Sequence, residues 1–178
     1  MTNAKIAAFD RARSFRLGTL LILTVLMLFV AVARVPTYAQ TYSVLYSFSG
    51  GADGASPSLG SLFQGADGNF YGTTSAGGTH GSGTVFKITP SGKLTTIYGF
   101  CAQTGCADGK TPNGRLVQAD DGNLYGTTNT GGANGYGTVF RLTRGGALTT
   151  LYSFCAQTNC ADGEYPTAGL IQAIDGNL

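Results

Sequence analysis

The residues with the clearest chemistry in this sequence are four cysteines, which lie in two pairs of equal spacing. Cys101 and Cys106 recur as Cys155 and Cys160, in each case 54 residues later. Four cysteines allow three pairings. The corresponding earlier stretch, residues 49–53, lacks both cysteines together, which indicates that each pair closes on itself, as Cys101–Cys106 and Cys155–Cys160. We therefore expect two short disulfide loops of the kind found in exported proteins.

Metal binding and redox catalysis fit these cysteines less well than disulfide formation. A structural zinc site needs four ligands, often including histidine, and the single histidine of the chain, His80, lies outside both pairs. Catalytic thiols usually occur in a Cys-x-x-Cys motif, whereas four residues separate the two cysteines of each pair here. The sequence therefore predicts no metal and no cofactor.

The histidine and the glutamate, which could act in acid–base catalysis, are not repeated from one period to the next. Asn134 replaces His80 one period later, and Lys110 stands one period before Glu164, the single glutamate. Glycosidases use two carboxyl groups at a defined separation, and a glutamate that is absent from the neighbouring repeat gives such a pair no repeated support. We therefore predict no catalytic residue in this chain.

Two sets of aspartates do recur, and both precede glycine. The first set is Asp53, Asp108 and Asp162, and the second, before Gly-Asn, is Asp67, Asp121 and Asp175. Asp, Asn and Gly form turns through local hydrogen bonds from side chain to backbone. Calcium is the alternative, but it needs six to eight oxygen ligands, and the spacing of an EF-hand is absent. These aspartates are therefore predicted to close turns.

The glycine-rich segments 77–83 and 131–137 are the remaining candidates for ligand binding. They lack the Lys-Ser/Thr pair and the following helix of a phosphate-binding loop. Loops on a rigid scaffold often carry binding residues, which makes His80, Asn134 and Tyr136 the candidate ligand-binding side chains. A tyrosine ring stacks and polar side chains donate hydrogen bonds, so a glycan is the predicted ligand.

A tandem repeat of 54 residues arranges all of these side chains. Its markers are Tyr-Gly-Thr-Thr at 71–74 and 125–128, Gly-Thr-Val-Phe at 83–86 and 137–140, and Asp-Gly-Asn at 67–69, 121–123 and 175–177. A strict period over this many markers indicates repeated structural units. Residues 40–178 hold about two and a half units, and the last one stops inside a predicted strand. We therefore expect this chain to be truncated at its C-terminus.

Each unit is predicted to be a four-stranded antiparallel meander, so the fold class is all-β. The strand-like runs of the second unit are residues 115–119, 123–128, 137–142 and 148–154, which are rich in β-branched and aromatic residues. In the last run, alternation predicts that Leu148, Thr150, Tyr152 and Phe154 share one face. Apolar residues on both faces are typical of β-propeller blades, which pack between neighbours; a β-solenoid and a β-sandwich are the alternatives. We expect an incomplete propeller.

The N-terminus has the pattern of an export signal. Residues 1–16 are basic, residues 17–33 are uncharged and apolar, and small residues precede a cleavage position between Ala39 and Gln40. The predicted domains are a signal peptide with a hydrophobic helix at 1–39 and the repeats at 40–178. The alternative is an uncleaved anchor in the inner membrane through residues 17–33. In either case the repeats are expected to be exported: periplasmic, on the cell surface or secreted.

Composition excludes several classes of protein. Only 11% of residues are charged, and glycine accounts for 28 of 178, which does not fit a coiled coil, a charged disordered tail or a basic nucleic-acid-binding protein. The whole-chain net charge of +2 comes from the N-terminal 39 residues, and the remaining residues have a net charge of −2. We therefore expect no nucleic-acid partner, and no membrane contact except through residues 17–33.

The ordered set of motifs resembles a known bacterial family. The motifs are Asp-Gly-Asn-(Phe/Leu)-Tyr-Gly-Thr-Thr, Gly-x-Gly-Thr-Val-Phe-(Lys/Arg), Leu-Thr-Thr-x-Tyr-x-Phe and Asp-Gly-x-x-Pro, in one order through residues 43–178. They resemble the GloVer tandem-repeat proteins of Gloeobacter and Verrucomicrobia type. The resemblance implies an exported protein with many repeats, often with a C-terminal surface anchor, and implies no enzymatic activity.

The expected function is therefore a non-enzymatic, cell-surface or secreted module with a binding or structural role, whose partner is a glycan or a surface protein. The alternative is the N-terminal part of a propeller-type carbohydrate-active enzyme. In that case the catalytic residues would lie beyond residue 178.

The predicted leader can be tested by expressing the chain in an export-competent bacterium. We expect mass spectrometry of the exported protein to show a mature N-terminus at Gln40. Substituting Ala39→Leu should block cleavage, because the cleaving enzyme accepts a small residue directly before the cut. An exported protein that keeps residues 1–39 would support the membrane anchor instead.

Overall fold

The computed structural model describes residues 42–57 and 62–178. Within these residues the chain is all-β, as predicted, with two antiparallel sheets, two short 3-10 turns and no α-helix. The predicted signal helix, the apolar run 17–33 and the cleavage position at Ala39 and Gln40 lie outside the described residues. Among those described, no helix has the length and apolar character needed to cross a membrane.

The first sheet is an antiparallel meander with five described strands. Its elements are β1 (Ala55–Pro57), β2 (Phe63–Gln64), β3 (Phe70–Ala76), β4 (Thr84–Ile88) and β5 (Leu94–Gly99). Both β1 and β2 pair antiparallel with β3, Pro57 opposite Thr74 and Phe63 opposite Tyr71. Because β4 pairs with β3 as well, β1 and β2 share the other edge of β3 and act as one strand.

The second sheet repeats this topology one period later. Its elements are β6 (Lys110–Pro112), β7 (Val117–Gln118), β8 (Leu124–Thr130), β9 (Thr138–Leu142) and β10 (Leu148–Ser153). β6 and β7 both pair with β8, β8 pairs with β9, and β9 pairs with β10. The predicted antiparallel meander order is therefore present in both units, but each sheet has five strands, because two short strands stand at the edge where one was predicted. The described residues contain no closed ring of sheets.

The first strand differs from its predicted form. A single run over 115–119 was expected, whereas the structure has the short pieces β6 and β7. The reason is local: Thr111 has a left-handed φ of 57°, and Pro112 has no amide hydrogen to donate to a ladder. Ser56 and Tyr165, at the same place in the other units, also have a φ of 51°. The left-handed residue therefore recurs in all three units.

A β-bulge changes the predicted faces of the fourth strand. Thr150 lies opposite Phe140, but Tyr152 lies opposite Val139, so the pairing shifts at Leu151. The first unit has the same shift between Val85 and Phe86. A bulge adds one residue to one strand and reverses the alternation beyond it. The prediction that Thr150 and Tyr152 share a face is therefore wrong.

Buried threonine pairs link the central strands. The Oγ1 atoms of Thr74 and Thr84 are 2.8 Å apart, and those of Thr128 and Thr138 are also 2.8 Å apart. All four side chains are fully buried, which is tolerated because each hydroxyl has a hydrogen-bond partner. Gly109, with φ +94°, lies so close that an added Cβ would stand 2.4 Å from the Thr128 Oγ1. The glycine is needed for this approach.

The core of the molecule lies between the two sheets. Phe100, at the end of the first unit, packs edge to face on Phe140 in β9, with ring centroids 5.2 Å apart. Both side chains are fully buried. Phe48 makes the same contact with Phe86 in β4, at 5.0 Å. The end of one unit thus packs on the third strand of the next, as expected for sheets with two apolar faces.

We predict that Phe100→Ala lowers the free energy of unfolding by about 3–5 kcal/mol, because it removes a buried ring from this contact. Phe154→Ala is the matched control. Phe154 packs edge to face on Tyr152 as Phe100 packs on Tyr98. Phe154 is only half-buried, so its substitution should lower the free energy of unfolding by less. Urea unfolding followed by circular dichroism measures both values. Equal losses would show that the contact between the units contributes no extra stability.

Candidate functional site

The first set of aspartates closes the loop that follows each fourth strand. The carboxylate of Asp108 accepts hydrogen bonds from the hydroxyl of Tyr98 at 2.8 Å and from the backbone N–H groups of Ala102 and Gln103 at 2.9 and 3.1 Å. Asp108 is fully buried. A buried charge is stable only with such partners. The predicted turn role of this aspartate is confirmed.

The same cluster recurs in the other units, with different partners in the first. Asp162 accepts hydrogen bonds from Tyr152, Ala156 and Gln157 at 2.6, 2.9 and 3.1 Å. Asp53 accepts one from the hydroxyl of Tyr46 at 3.0 Å, and the backbone N–H and hydroxyl of Ser49 replace the two loop amides. We call these three sites the Tyr–Asp clusters.

The second set of aspartates closes the hairpins between first and second strands. Asp121 accepts hydrogen bonds from the backbone N–H and the side-chain amide of Asn123, at 2.9 and 2.7 Å. The hydroxyl of Tyr125 donates a further bond to it at 2.8 Å. Asp67 has the equivalent contacts with Asn69 and Tyr71. Among the described residues, no three His, Cys, Asp or Glu side chains are close enough to hold a metal ion.

The cysteines lie in the loops that the Tyr–Asp clusters close. Cys101 is bonded to Cys106, and Cys155 to Cys160, which is the predicted pairing. Each disulfide closes a one-turn 3-10 segment, Thr104–Cys106 or Thr158–Cys160. The loop of the first unit is shorter and has no cysteines. There, Ser49 donates the two hydrogen bonds to Asp53 that two loop amides donate to the aspartate in the other units.

The three predicted ligand-binding residues occupy different surroundings. His80 is exposed in the loop of the first unit, where its carbonyl oxygen accepts a hydrogen bond from the Ser82 hydroxyl at 3.4 Å. Asn134 lies in the loop of the second unit, and its amide donates hydrogen bonds to the carbonyl oxygens of Ser153 and Phe154 at 3.4 and 3.0 Å. The Asn134 amide therefore holds its own loop against the end of β10.

Tyr136 lies against a residue that the sequence did not single out. Its ring and that of Tyr165, at the start of the third unit, have centroids 5.3 Å apart and an interplanar angle of 56°. Tyr165 is 46% exposed, and Tyr136 is partly exposed. The available signal was the replacement of Thr111 by tyrosine one period later. The contact itself depends on the packing of successive units.

A groove of about 600 Å3 lies between β2, β7 and the equivalent residues of the third unit. It is lined by Phe63, Gln64, Arg115, Leu116, Val117, Gln118, Gly169, Leu170, Ile171 and Gln172. The equivalent positions 63–64, 117–118 and 171–172 each supply an apolar residue followed by glutamine. The groove is therefore the seam between repeats.

The glutamines of the groove join neighbouring units. Gln118 donates from Nε2 to the carbonyl oxygen of Gly122 at 3.3 Å, in its own hairpin, and its Oε1 accepts from the N–H of Ala66 in the preceding unit at 3.0 Å. Gln172 bonds in the same way to Gly176 and Asp120, both at 3.1 Å. The side-chain amides of this glutamine ladder are therefore bonded to the backbone and are not free to bond a ligand in the groove.

Hydrogen bonding lowers the pKa of Asp162 and of Asp53. The Tyr152 hydroxyl is the largest cause at Asp162, whose pKa falls from 3.8 to about 2. The Ser49 hydroxyl is the largest cause at Asp53, whose pKa also falls to about 2. Burial, reinforced by Asp67, raises the pKa of Tyr71 from 10.0 to about 12. These shifts stabilise the ionised aspartate and the neutral tyrosine of each pair at neutral pH.

We predict that NMR titration gives Asp162 a pKa of about 2 and that Tyr152→Phe moves this pKa toward 3.8, because it removes the largest stabilising hydrogen bond. Tyr46→Phe is the control: it should move the pKa of Asp53 less, since the bonds from Ser49 remain. A lowered pKa in the folded state stabilises the fold above about pH 4 and loses that effect as the pH falls toward 2. Equal shifts in the two variants would contradict this assignment.

The comparison with protein families agrees with this repeated architecture. The model described as the Gloeobacter/Verrucomicrobia repeat matches residues 31–178, so the match begins within the apolar run 17–33 and includes both described sheets. No curated protein matches the chain. The family match covers most of the sequence, and the chain therefore belongs to the Gloeobacter/Verrucomicrobia repeat family.

Proposed function

We propose that this protein is an exported, non-enzymatic repeat protein that binds a glycan or a surface protein at the cell surface or after secretion. One observation carries the proposal: the polar side chains that recur in every unit make structural hydrogen bonds. The Tyr–Asp clusters close loops, the Asp-Gly-Asn turns close hairpins, and the glutamine ladder joins units. The side chains that differ between units do not make these recurring bonds, and we propose that they contact the ligand.

Export is supported by two independent features. The chain has two short disulfide loops, and disulfides persist mainly in oxidising compartments. The N-terminal sequence has the basic, apolar and small-residue segments of a leader.

The units are proposed to be blades of a β-propeller. Each described sheet is an antiparallel meander whose two short edge strands share one side of the next strand. The end of one unit packs against the next through a phenylalanine pair. Propellers build their binding surfaces from the loops between strands. In this arrangement the glycine-rich loops 77–83 and 131–137 are the surfaces offered to a partner.

The proposal is tested by mixing the folded protein with purified bacterial cell-wall polysaccharide and with a soluble glycan array. We expect saturable, stoichiometric binding with no release of new reducing ends. Release of reducing ends without saturable binding would contradict the proposal and favour the carbohydrate-active enzyme. A chain that stays in the cytoplasm of an export-competent host would contradict the exported location.

A further inference from the structure

The repeat provides an internal comparison that separates framework positions from unit-specific positions. The N–H of Tyr165 donates to the carbonyl oxygen of Tyr136 at 2.9 Å, and the N–H of Thr111 donates to the carbonyl oxygen of Ser82 at 2.9 Å. The backbone junction between units is therefore the same in both places. Only the second junction has two tyrosines, where the first has serine and threonine.

The backbone holds Tyr165 in a defined direction. Its φ of 51° is left-handed, which is costly for a tyrosine. Thr111 has a φ of 57° at the equivalent place, so the framework imposes this conformation whatever the side chain. The next residue is held as well, because the carbonyl oxygen of Pro166 accepts a hydrogen bond from the Asn129 amide at 3.5 Å.

The loop that carries Tyr136 is fixed on both sides. The N–H of Gly132 donates to the carbonyl oxygen of Cys106 at 2.9 Å, in the first disulfide loop. The N–H of Ala133 donates to the Ser153 hydroxyl at 3.2 Å, and Asn134 bonds to Phe154. Both rings of the pair therefore stand on backbone that hydrogen bonds hold in place. A rigid aromatic surface loses little conformational entropy on binding.

The chemistry of the pair favours an uncharged ligand with an apolar face. The two rings are tilted by 56° with centroids 5.3 Å apart, and Tyr165 remains 46% exposed. A pyranose ring offers C–H groups on one face and hydroxyl groups at its edge, which match a tyrosine face and its polar neighbours. An anionic ligand would meet the like charge of Glu164, which directly precedes Tyr165.

We propose that Tyr136 and Tyr165 form an aromatic platform that binds a sugar ring of a neutral oligosaccharide. This inference rests on the proposed binding function and assigns it to one junction between units. It keeps Tyr136 from the predicted set His80, Asn134 and Tyr136 and adds Tyr165. In that set, His80 belongs to the other loop and Asn134 supports its own loop.

The test is a titration of the folded protein with cellohexaose, xylohexaose, laminarihexaose and N-acetylchitohexaose. The chain has no Trp and nine Tyr, so tyrosine emission reports binding directly. We expect Tyr165→Ala and Tyr136→Ala each to weaken binding about tenfold. Tyr165→Phe, which keeps the ring, should bind as the unaltered protein does. Tyr42→Ala, at a tyrosine that is 91% exposed, is the surface control.

A gain-of-function variant makes the test independent of folding losses. Ser82→Tyr combined with Thr111→Tyr places the same pair on the first junction, and we expect the binding stoichiometry to rise from one to two. A protein that binds one of these sugars equally well after Tyr165→Ala would overturn the platform and leave the proposed binding function standing. Binding to none of the four sugars would overturn the platform, as would binding of a proline-rich peptide in their place.

Discussion

The packing of Phe100 on Phe140 is the contact on which the arrangement of the two units depends. A four-stranded sheet with apolar groups on both faces is not stable in water by itself, because one face would remain exposed. Phe100 directly follows the last strand of the first sheet, and its ring packs against β9 of the second sheet. Phe48 and Phe86 repeat the contact. Each unit is therefore completed by a residue from the preceding one.

This close packing accounts for the structural role of many polar residues that recur in the units. Packing units closely buries turns and loop backbone, and buried polar groups must find partners. Asp108 does this for two loop amides and a tyrosine hydroxyl, and Gln118 does it across the seam between units.

The same framework makes variation at a few positions informative. Because the hydrogen bonds at Ser82 and Thr111 recur at Tyr136 and Tyr165, these side chains can change without changing the backbone. The loops that hold the clustered aspartates also differ between units, since only two of them contain a disulfide. Ser49 completes its Tyr–Asp cluster in the first unit without a cysteine, so the disulfide loops are one of two ways to hold the aspartate.

The sequence by itself determined the repeat, the antiparallel meander order, the pairing of the cysteines and the turn role of the aspartates. These features depend on contacts that are short in sequence, so that residue type and spacing report them directly. It did not determine the interrupted first strand at Thr111, the bulge at Leu151 or the contact of Tyr136 with Tyr165. The interruption follows from a left-handed backbone conformation at Thr111 that residue type did not signal. The other two were decided by the tertiary structure, because the bulge depends on how β10 pairs with β9 and the ring contact on how successive units pack. The candidate site belongs to this second group, since its two rings come from different units.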